Sequence, residues 1–171
     1  MLSAAPTRWR SAFLLGALVL VTSCLRHDPA VGNCSALRRA YLSEDRLGET
    51  LERFDTYDLE TRYRIYICAV QSLHPPLALM TVRFAEGGEE AGHFLAHKLE
   101  LTTYDLTIFD IVVAFAMMQT NRTFDASLDA ALMSLLERKV SLLEGSRREW
   151  AERYLQTIRS GPGAPLPVPE R

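Results

Sequence analysis

Apolar residues in this 171-residue chain recur at steps of three and four, the spacing that places them on one face of an α-helix. One stripe consists of Leu59, Tyr63, Tyr66, Ile67, Val70 and Leu73. A second stripe consists of Leu128, Leu132, Leu135, Leu136, Val140 and Leu143. No useful length of the chain alternates apolar and polar residues in the manner of a half-buried strand. The sequence therefore predicts an all-α fold.

Capping and helix-breaking residues separate these stripes. Asp58 is placed to cap the first one, and Pro75 with Pro76 ends it because proline lacks an amide hydrogen. The element that begins at Thr103 to Asp105 and runs to about Met118 is nearly all apolar, and we expect it to be the central buried helix. Short links favour antiparallel helices packed in pairs. We predict a compact domain of about six or seven helices, with a repeat-like helical stack as the alternative.

The N-terminal region has the layout of a signal peptide. Arg8 and Arg10 precede an uncharged apolar run of about ten residues, whereas a membrane-spanning helix needs roughly twenty. The run ends at Val21-Thr22-Ser23-Cys24, which resembles the lipobox of bacterial lipoproteins. The resemblance implies that residues 1–23 are removed and that Cys24 becomes a diacylglycerol- and palmitate-bearing N-terminus. Ordinary secretion with cleavage near Ser23 is the alternative.

This resemblance covers residues 1–24 only, and it also implies a location. In enterobacterial lipoproteins an Asp after the lipidated Cys often retains the protein in the inner membrane, and this chain has Leu25 there. By resemblance we expect a lipid-anchored protein of the bacterial cell envelope, on the periplasmic face of the outer membrane.

The remaining chain divides into three parts. Residues 24–33 contain Pro29, Gly32 and Asn33 without periodicity, and we interpret them as a tether. Residues 34–160 form the predicted helical domain. Residues 161–171 contain four prolines, so we predict a disordered, extended tail, with a proline-rich recognition peptide as the alternative.

Charge limits the choice of partners. Without residues 1–23 the chain has 17 basic and 21 acidic side chains, a net charge of 17 − 21 = −4. Because nucleic-acid surfaces normally need a concentrated basic stripe, we exclude nucleic acid as a partner. The expected contacts are the membrane, through the lipid, and another envelope protein.

The cysteines suggest a crosslink. If Cys24 is acylated, Cys34 and Cys68 are the two thiols that remain. Disulfides form in exported proteins, so we predict that these two are joined, with a pair of buried free thiols as the alternative.

One group of residues could bind a metal. Glu90, His93, His97 and Glu100 are spaced by three, four and three residues, which places them within about 80° of a helix surface. Two imidazoles four residues apart, with a carboxylate, can supply three ligands to a divalent cation such as zinc. The competing interpretation is a solvated face whose side chains contribute little to stability.

Catalytic signatures are absent from the sequence. It contains no Gly-x-Ser-x-Gly elbow, no phosphate-binding loop and no dinucleotide fingerprint. We therefore interpret the protein as a non-catalytic adaptor, assembly factor or accessory subunit that needs no cofactor. Metal binding through the Glu90 and His93 face is the runner-up, and substrate-assisted enzyme chemistry is the third alternative.

Overall fold

A computed structural model describes residue 28 and residues 31–73 and 78–168. The predicted signal peptide and Cys24 lie outside these residues. The described chain is helical and contains no strand, which confirms the all-α prediction. Its helices are α1 (Cys34–Leu37, continued by a π-helical turn, Arg38–Leu42), α2 (Glu44–Arg53), α3 (Leu59–Ser72), α4 (Ala78–Ala85), α5 (Gly88–Leu101), α6 (Asp105–Asn121), α7 (Ala130–Ser141) and α8 (Gly145–Arg159).

Helix α6 is the centre of the fold. Ile108, Ile111 and Phe115 on this helix are at most 1% exposed, and α6 contacts α3, α4, α5, α7 and α8. Burial on most sides explains why its sequence shows no amphipathic stripe. The other helices pack around α6. The domain is therefore the predicted compact arrangement and not the repeat-like helical stack. Among the described residues, no helix is long and apolar enough to cross a membrane.

Side-chain caps define where several helices begin. The Asp58 carboxylate accepts a hydrogen bond from the Thr61 amide at 2.9 Å, as the sequence predicts for the start of α3. Asp129 accepts hydrogen bonds from the amides of Ala131 and Leu132 at the start of α7. Such caps satisfy amides that have no partner within the helix.

Cys34 on α1 and Cys68 on α3 form a disulfide, as predicted, with their Cα atoms 5.4 Å apart. Both residues lie in the core. The bridge fastens the first helical segment to α3, and Arg64 Nε adds a hydrogen bond to the Val31 carbonyl at 2.9 Å.

The folded domain begins earlier than the predicted boundary at residue 34. Val31 is fully buried, and Asp28 is 4% exposed with its carboxylate accepting a hydrogen bond from Thr102 Oγ1 at 3.0 Å. Part of the predicted tether, residues 24–33, therefore belongs to the domain. Local sequence did not indicate this because the partner, Thr102, lies 74 residues away.

Residues 161–168, part of the predicted disordered tail, lie against the domain and are bonded to α6 and α8. The Gly163 amide donates to the Gln119 carbonyl at 2.8 Å, and Thr120 Oγ1 donates to the Ala164 carbonyl at 2.7 Å. Thr157 Oγ1 donates to the Pro165 carbonyl at 3.0 Å. Although proline suppresses helix formation, its carbonyl remains a good acceptor, so an extended segment can still dock.

We define two ends of the molecule by the two ends of α6. This helix is about 24 Å long at 1.5 Å per residue. The Thr102 end consists of Asp28, Leu101 at the end of α5 with the three residues that follow it, and residues 139–142, which are the end of α7 and its C-cap. The Gln119 end consists of Gln119, the loop from Arg122 to Asp129, and the docked segment from Gly161 to Ala164.

Candidate functional site

The predicted metal-binding face lies on α5. Glu90, His93, His97 and Glu100 are all exposed. Among the described residues, no three His, Cys, Asp or Glu side chains are grouped so that they could hold a metal ion. The His93 ring instead packs edge-on against Phe124, with the ring centroids 5.5 Å apart. His93 and His97 share a face of α5, as their spacing indicated. Within the part of the chain that the structure describes, no third side chain joins them to complete a metal site.

A polar cluster that the sequence did not suggest joins α3 to α6. Gln71 Nε2 donates to Asp110 Oδ2 at 2.8 Å and contacts Thr107 Oγ1 at 3.1 Å. The Tyr66 hydroxyl donates to the Asp110 backbone carbonyl at 2.6 Å. Tyr66 and Thr107 are fully buried. These bonds hold a carboxyl group at the boundary between two core helices.

Removal from water raises the pKa of Asp110 to about 7, because a charged carboxylate is poorly solvated there. The hydrogen bond from Gln71 and the charge of Arg147 oppose that shift. Asp110 therefore changes its protonation state near neutrality. Such a group can bind or release a proton, but ion-pair networks with no catalytic role also shift pKa values, so the shift alone does not assign a catalytic role to Asp110.

A cleft of about 340 Å³ opens at the Thr102 end. The residues around it combine an aromatic ring, a cation and an exposed aliphatic side chain. They are Asp28, Tyr63, Lys98, Leu101, Thr102, Thr103 and Tyr104.

Lys98 is the cation of this cleft, and its neighbours hold it in place. Its Nζ lies 2.6 Å from Glu60 Oε2 and about 5 Å above the rings of Tyr63 and Phe94. A carboxylate and two aromatic faces stabilise the ammonium ion together. Because Glu60 already compensates its charge, Lys98 is suited to structural support rather than to acid–base chemistry.

A second lysine fixes the loop of the Thr102 end. Lys139 is 8% exposed, and its Nζ donates to the carbonyls of Glu100 at 3.0 Å and Thr102 at 2.5 Å. Burial lowers the pKa of Lys139. These bonds cap the last carbonyls of α5, where a cation also meets the negative end of the helix dipole. As a result, α5 and α7 end side by side.

Two leucines at this end remain in contact with solvent. Leu101 is 65% exposed and Leu142 is 59% exposed. Leu142 follows Lys139 by one helical turn, and Leu101 directly precedes Thr102, the residue that Lys139 binds. Leu101, the last residue of α5, and Leu142, the residue after α7, therefore present aliphatic side chains at the same end of the molecule.

The Gln119 end is held by a buried polar network. Gln119 is fully buried, its Nε2 donates to Asp125 Oδ1 at 2.9 Å, and its Oε1 accepts from the Ala126 amide at 3.2 Å. Thr123 Oγ1 donates to the Ala85 carbonyl at 2.7 Å. The Gln119 side chain thus bonds two consecutive residues of the loop between α6 and α7.

Close packing supports this network. A Cβ atom on Gly92 would lie 2.7 Å from the Phe124 ring, so glycine lets the ring press against the backbone of α5. Phe124 also packs against Phe115, with the centroids 5.9 Å apart. Sequence reasoning could have noted Gly92 as a small residue within a helix, but it had no means of pairing it with Phe124.

Comparisons with protein-family models, curated proteins and solved structures find no significant match to this chain. Function is therefore inferred from the residues themselves.

Proposed function

We propose that this protein is a lipid-anchored helical domain of a bacterial envelope that binds another envelope protein without catalysing a reaction. The observation that carries the proposal is the lipobox-like sequence Val21-Thr22-Ser23-Cys24 after an uncharged apolar run. It predicts export and a lipid on Cys24.

The disulfide between Cys34 and Cys68 supports export independently of the N-terminal sequence. Structural disulfides are rare in the reducing cytosol and common in the periplasm and outside the cell. The two features lie in different parts of the chain and point to the same oxidising compartment.

The nature of the polar groups supports a binding role. Lys98 is paired with Glu60, Lys139 is bound to backbone carbonyls, and Gln119 is bound within its loop. These side chains are used to fix loops and helix ends. They create rigid surfaces, which favour recognition of a partner because less conformational freedom is lost on binding.

The test is expression of the full chain in a Gram-negative bacterium beside the Cys24→Ser variant. We expect the wild-type protein in the outer-membrane fraction, with a mature mass that includes diacylglycerol and an acyl chain on Cys24. The variant should lose both the lipid and the membrane association. A mature protein that begins at another residue without lipid would contradict the proposal.

The partner is tested separately in cells. A photo-crosslinking residue at exposed Leu128, in the Gln119 end, should give a discrete crosslinked species that contains another envelope protein. The matched position is Leu79, which is also exposed but lies on α4. Identical weak crosslinks at both positions would speak against a specific partner surface at the Gln119 end.

A further inference from the structure

We propose that the Thr102 end of the domain lies against the lipid headgroups, with the side chains of Leu101 and Leu142 entering the boundary between headgroups and acyl chains. This inference rests on the proposed lipidation of Cys24. To that proposal it adds the orientation of the domain on the membrane and the surface that contacts lipid. The surface that faces away from the membrane is then left for a protein partner.

The first step is the length of chain between the lipid and the fold. Asp28 is 4% exposed and is bonded to Thr102, so this residue is a fixed point of the domain. Cys24 precedes it by four residues. Four residues span at most about 14 Å in any conformation. The point of attachment on the domain therefore stays within about 14 Å of the lipid-bearing residue.

The second step compares that reach with the membrane. The headgroup region on each side of the hydrocarbon core is roughly 5 to 8 Å thick. Because the attachment point at Asp28 stays within about 14 Å of the lipid-bearing residue, it cannot move far beyond the headgroups. The end that contains Asp28 and Thr102 must therefore be close to the lipid, whereas the opposite end of α6 lies about 24 Å farther along that helix.

The third step concerns the side chains that this geometry brings to the lipid. Leu101 and Leu142 are exposed by 65% and 59% at the ends of α5 and α7, where exposed aliphatic side chains gain by leaving water. Amphipathic surfaces of this kind bury their apolar residues about 5–10 Å into the headgroup–acyl boundary. The tether supplies the proximity, and the leucines supply the apolar contact.

The charges at this end indicate how the contact is made. The exposed acidic residues Glu100, Asp105 and Glu144 are not outnumbered by the exposed Arg138 and the partly exposed Arg147, so this end has no excess of positive charge. Electrostatic attraction to anionic lipids is consequently a minor contribution. We expect the contact to persist in high salt, unlike that of a basic amphipathic surface.

The experiment places a tryptophan at each end of the lipidated protein. Full-length chain is produced in bacteria, purified from membranes and reconstituted into phosphatidylethanolamine and phosphatidylglycerol vesicles with brominated acyl chains. Leu101→Trp reports the Thr102 end, and Leu128→Trp, at an 85% exposed position of the Gln119 end, is the matched reporter. Both carry Trp150→Phe to remove the tryptophan of α8. Mass spectrometry establishes that each sample carries lipid and has lost Trp9 with the leader.

We expect the brominated lipids to quench the reporter at position 101 at least about twofold more strongly than the reporter at position 128, since depths of 5–10 Å fall within quenching range. Equal quenching, or stronger quenching at position 128, would overturn the proposed orientation. Protein that lacks the lipid mass and fails to float with the vesicles would overturn the proposed anchoring, and this inference with it. Flotation and quenching therefore identify which of the two proposals fails.

A longer tether tests the mechanism. Inserting about twelve Gly and Ser residues between Arg26 and His27 adds up to about 40 Å of reach. We expect flotation to remain and the quenching at position 101 to fall to the level of position 128. Undiminished quenching would show that the leucines bind lipid on their own, and would overturn the claim that the short tether positions this end.

Discussion

The two ends of this domain are stabilised in different ways. The Gln119 end is closed by a buried amide that bonds Asp125 and Ala126, by the Phe124 ring packed on Gly92, and by a docked chain segment. The Thr102 end is held at its rim by three side chains, those of Asp28, Lys139 and Arg147, and it leaves two leucines exposed. The Gln119 end also exposes a leucine, Leu128, but only the Thr102 end has two of them beside the residue to which the short tether is joined.

From this difference we infer that the two ends have different binding roles. A rigid end that satisfies its own polar groups is suited to recognition of a protein, because it loses little conformational freedom on binding. An end that exposes leucines and is joined to the lipid by a short tether is suited to contact with a membrane surface. The disulfide fastens the segment that follows Asp28 onto α3. The following predictions test each part of this comparison.

Loss of the disulfide should have the largest effect on stability. The bridge closes a sequence separation of 34 residues, and the chain-entropy relation gives about 4 kcal/mol for a loop of that length. We expect the Cys34→Ser, Cys68→Ser double variant to lose about that much in a urea denaturation experiment, whose midpoint and slope together give the free energy of unfolding. Wild-type protein under a reducing agent is the control and should match it. An unchanged midpoint would show that α1 is held without the bridge.

The second prediction removes the centre of the Gln119 end. Gln119→Leu preserves the approximate volume but leaves the Ala126 amide without its acceptor and removes a donor to Asp125. We expect a loss of about 2–3 kcal/mol, as for buried polar groups that lose a partner. Hydrogen exchange should rise in the loop from Arg122 to Asp129 and in residues 161–164. Gln156→Leu, at an exposed position of α8, should stay within about 0.5 kcal/mol. Equal effects of both substitutions would show that the network contributes little.

The third prediction concerns Asp110 and the dependence of stability on pH. The folded carboxyl keeps its proton up to about pH 7, whereas an unfolded Asp loses it near pH 4. Between these values the folded state binds more protons than the unfolded state, so this group makes stability fall as pH rises through this window. Asp110→Asn should remove that fall and make the protein more stable at pH 8, by at most about 4 kcal/mol for three pKa units.

The control for Asp110 is Asp105→Asn on the same helix. Asp105 is exposed and lies 4.0 Å from Arg147, so we expect little change in stability and no change in the slope between pH 4 and 7. If Asp110→Asn destabilises the protein at pH 8, then the ionised carboxylate contributes more through Gln71 and Arg147 than it loses through burial.

Local patterns predicted the helices well because each one carries its own information. The stripe through α3, its cap at Asp58 and the apolar composition of α6 are all readable from neighbouring residues, and the structure confirms them. The pairing of Cys34 with Cys68 followed from the small number of thiols. In each case the evidence for the element lay within the element or in a simple count.

Features that depend on distant partners were not predicted. Asp110 had no assigned role in the sequence because its partner Gln71 lies on another helix, 39 residues away. The tail was interpreted as disordered because its proline content was visible, whereas its docking sites at Gln119, Thr120 and Thr157 were not. Conversely, the histidine face was readable from spacing alone, and spacing alone does not supply the remaining ligands of a metal site.

The smallest expected effect is at that histidine face, on the flank of the Gln119 end. His97→Ala should change the free energy of unfolding by less than about 0.5 kcal/mol, as is usual for an exposed side chain. His93→Ala should cost slightly more, about 0.5 kcal/mol, because the His93 ring loses its edge-on contact with Phe124. The two losses should add, since no described ligand couples the two rings through a metal. Purified wild-type protein should retain well under one equivalent of zinc after dialysis. If about one equivalent remains and the double alanine variant loses it, with affinity falling as pH drops through the imidazole range, the Gln119 end carries a metal site and its role as a purely protein-binding surface is wrong.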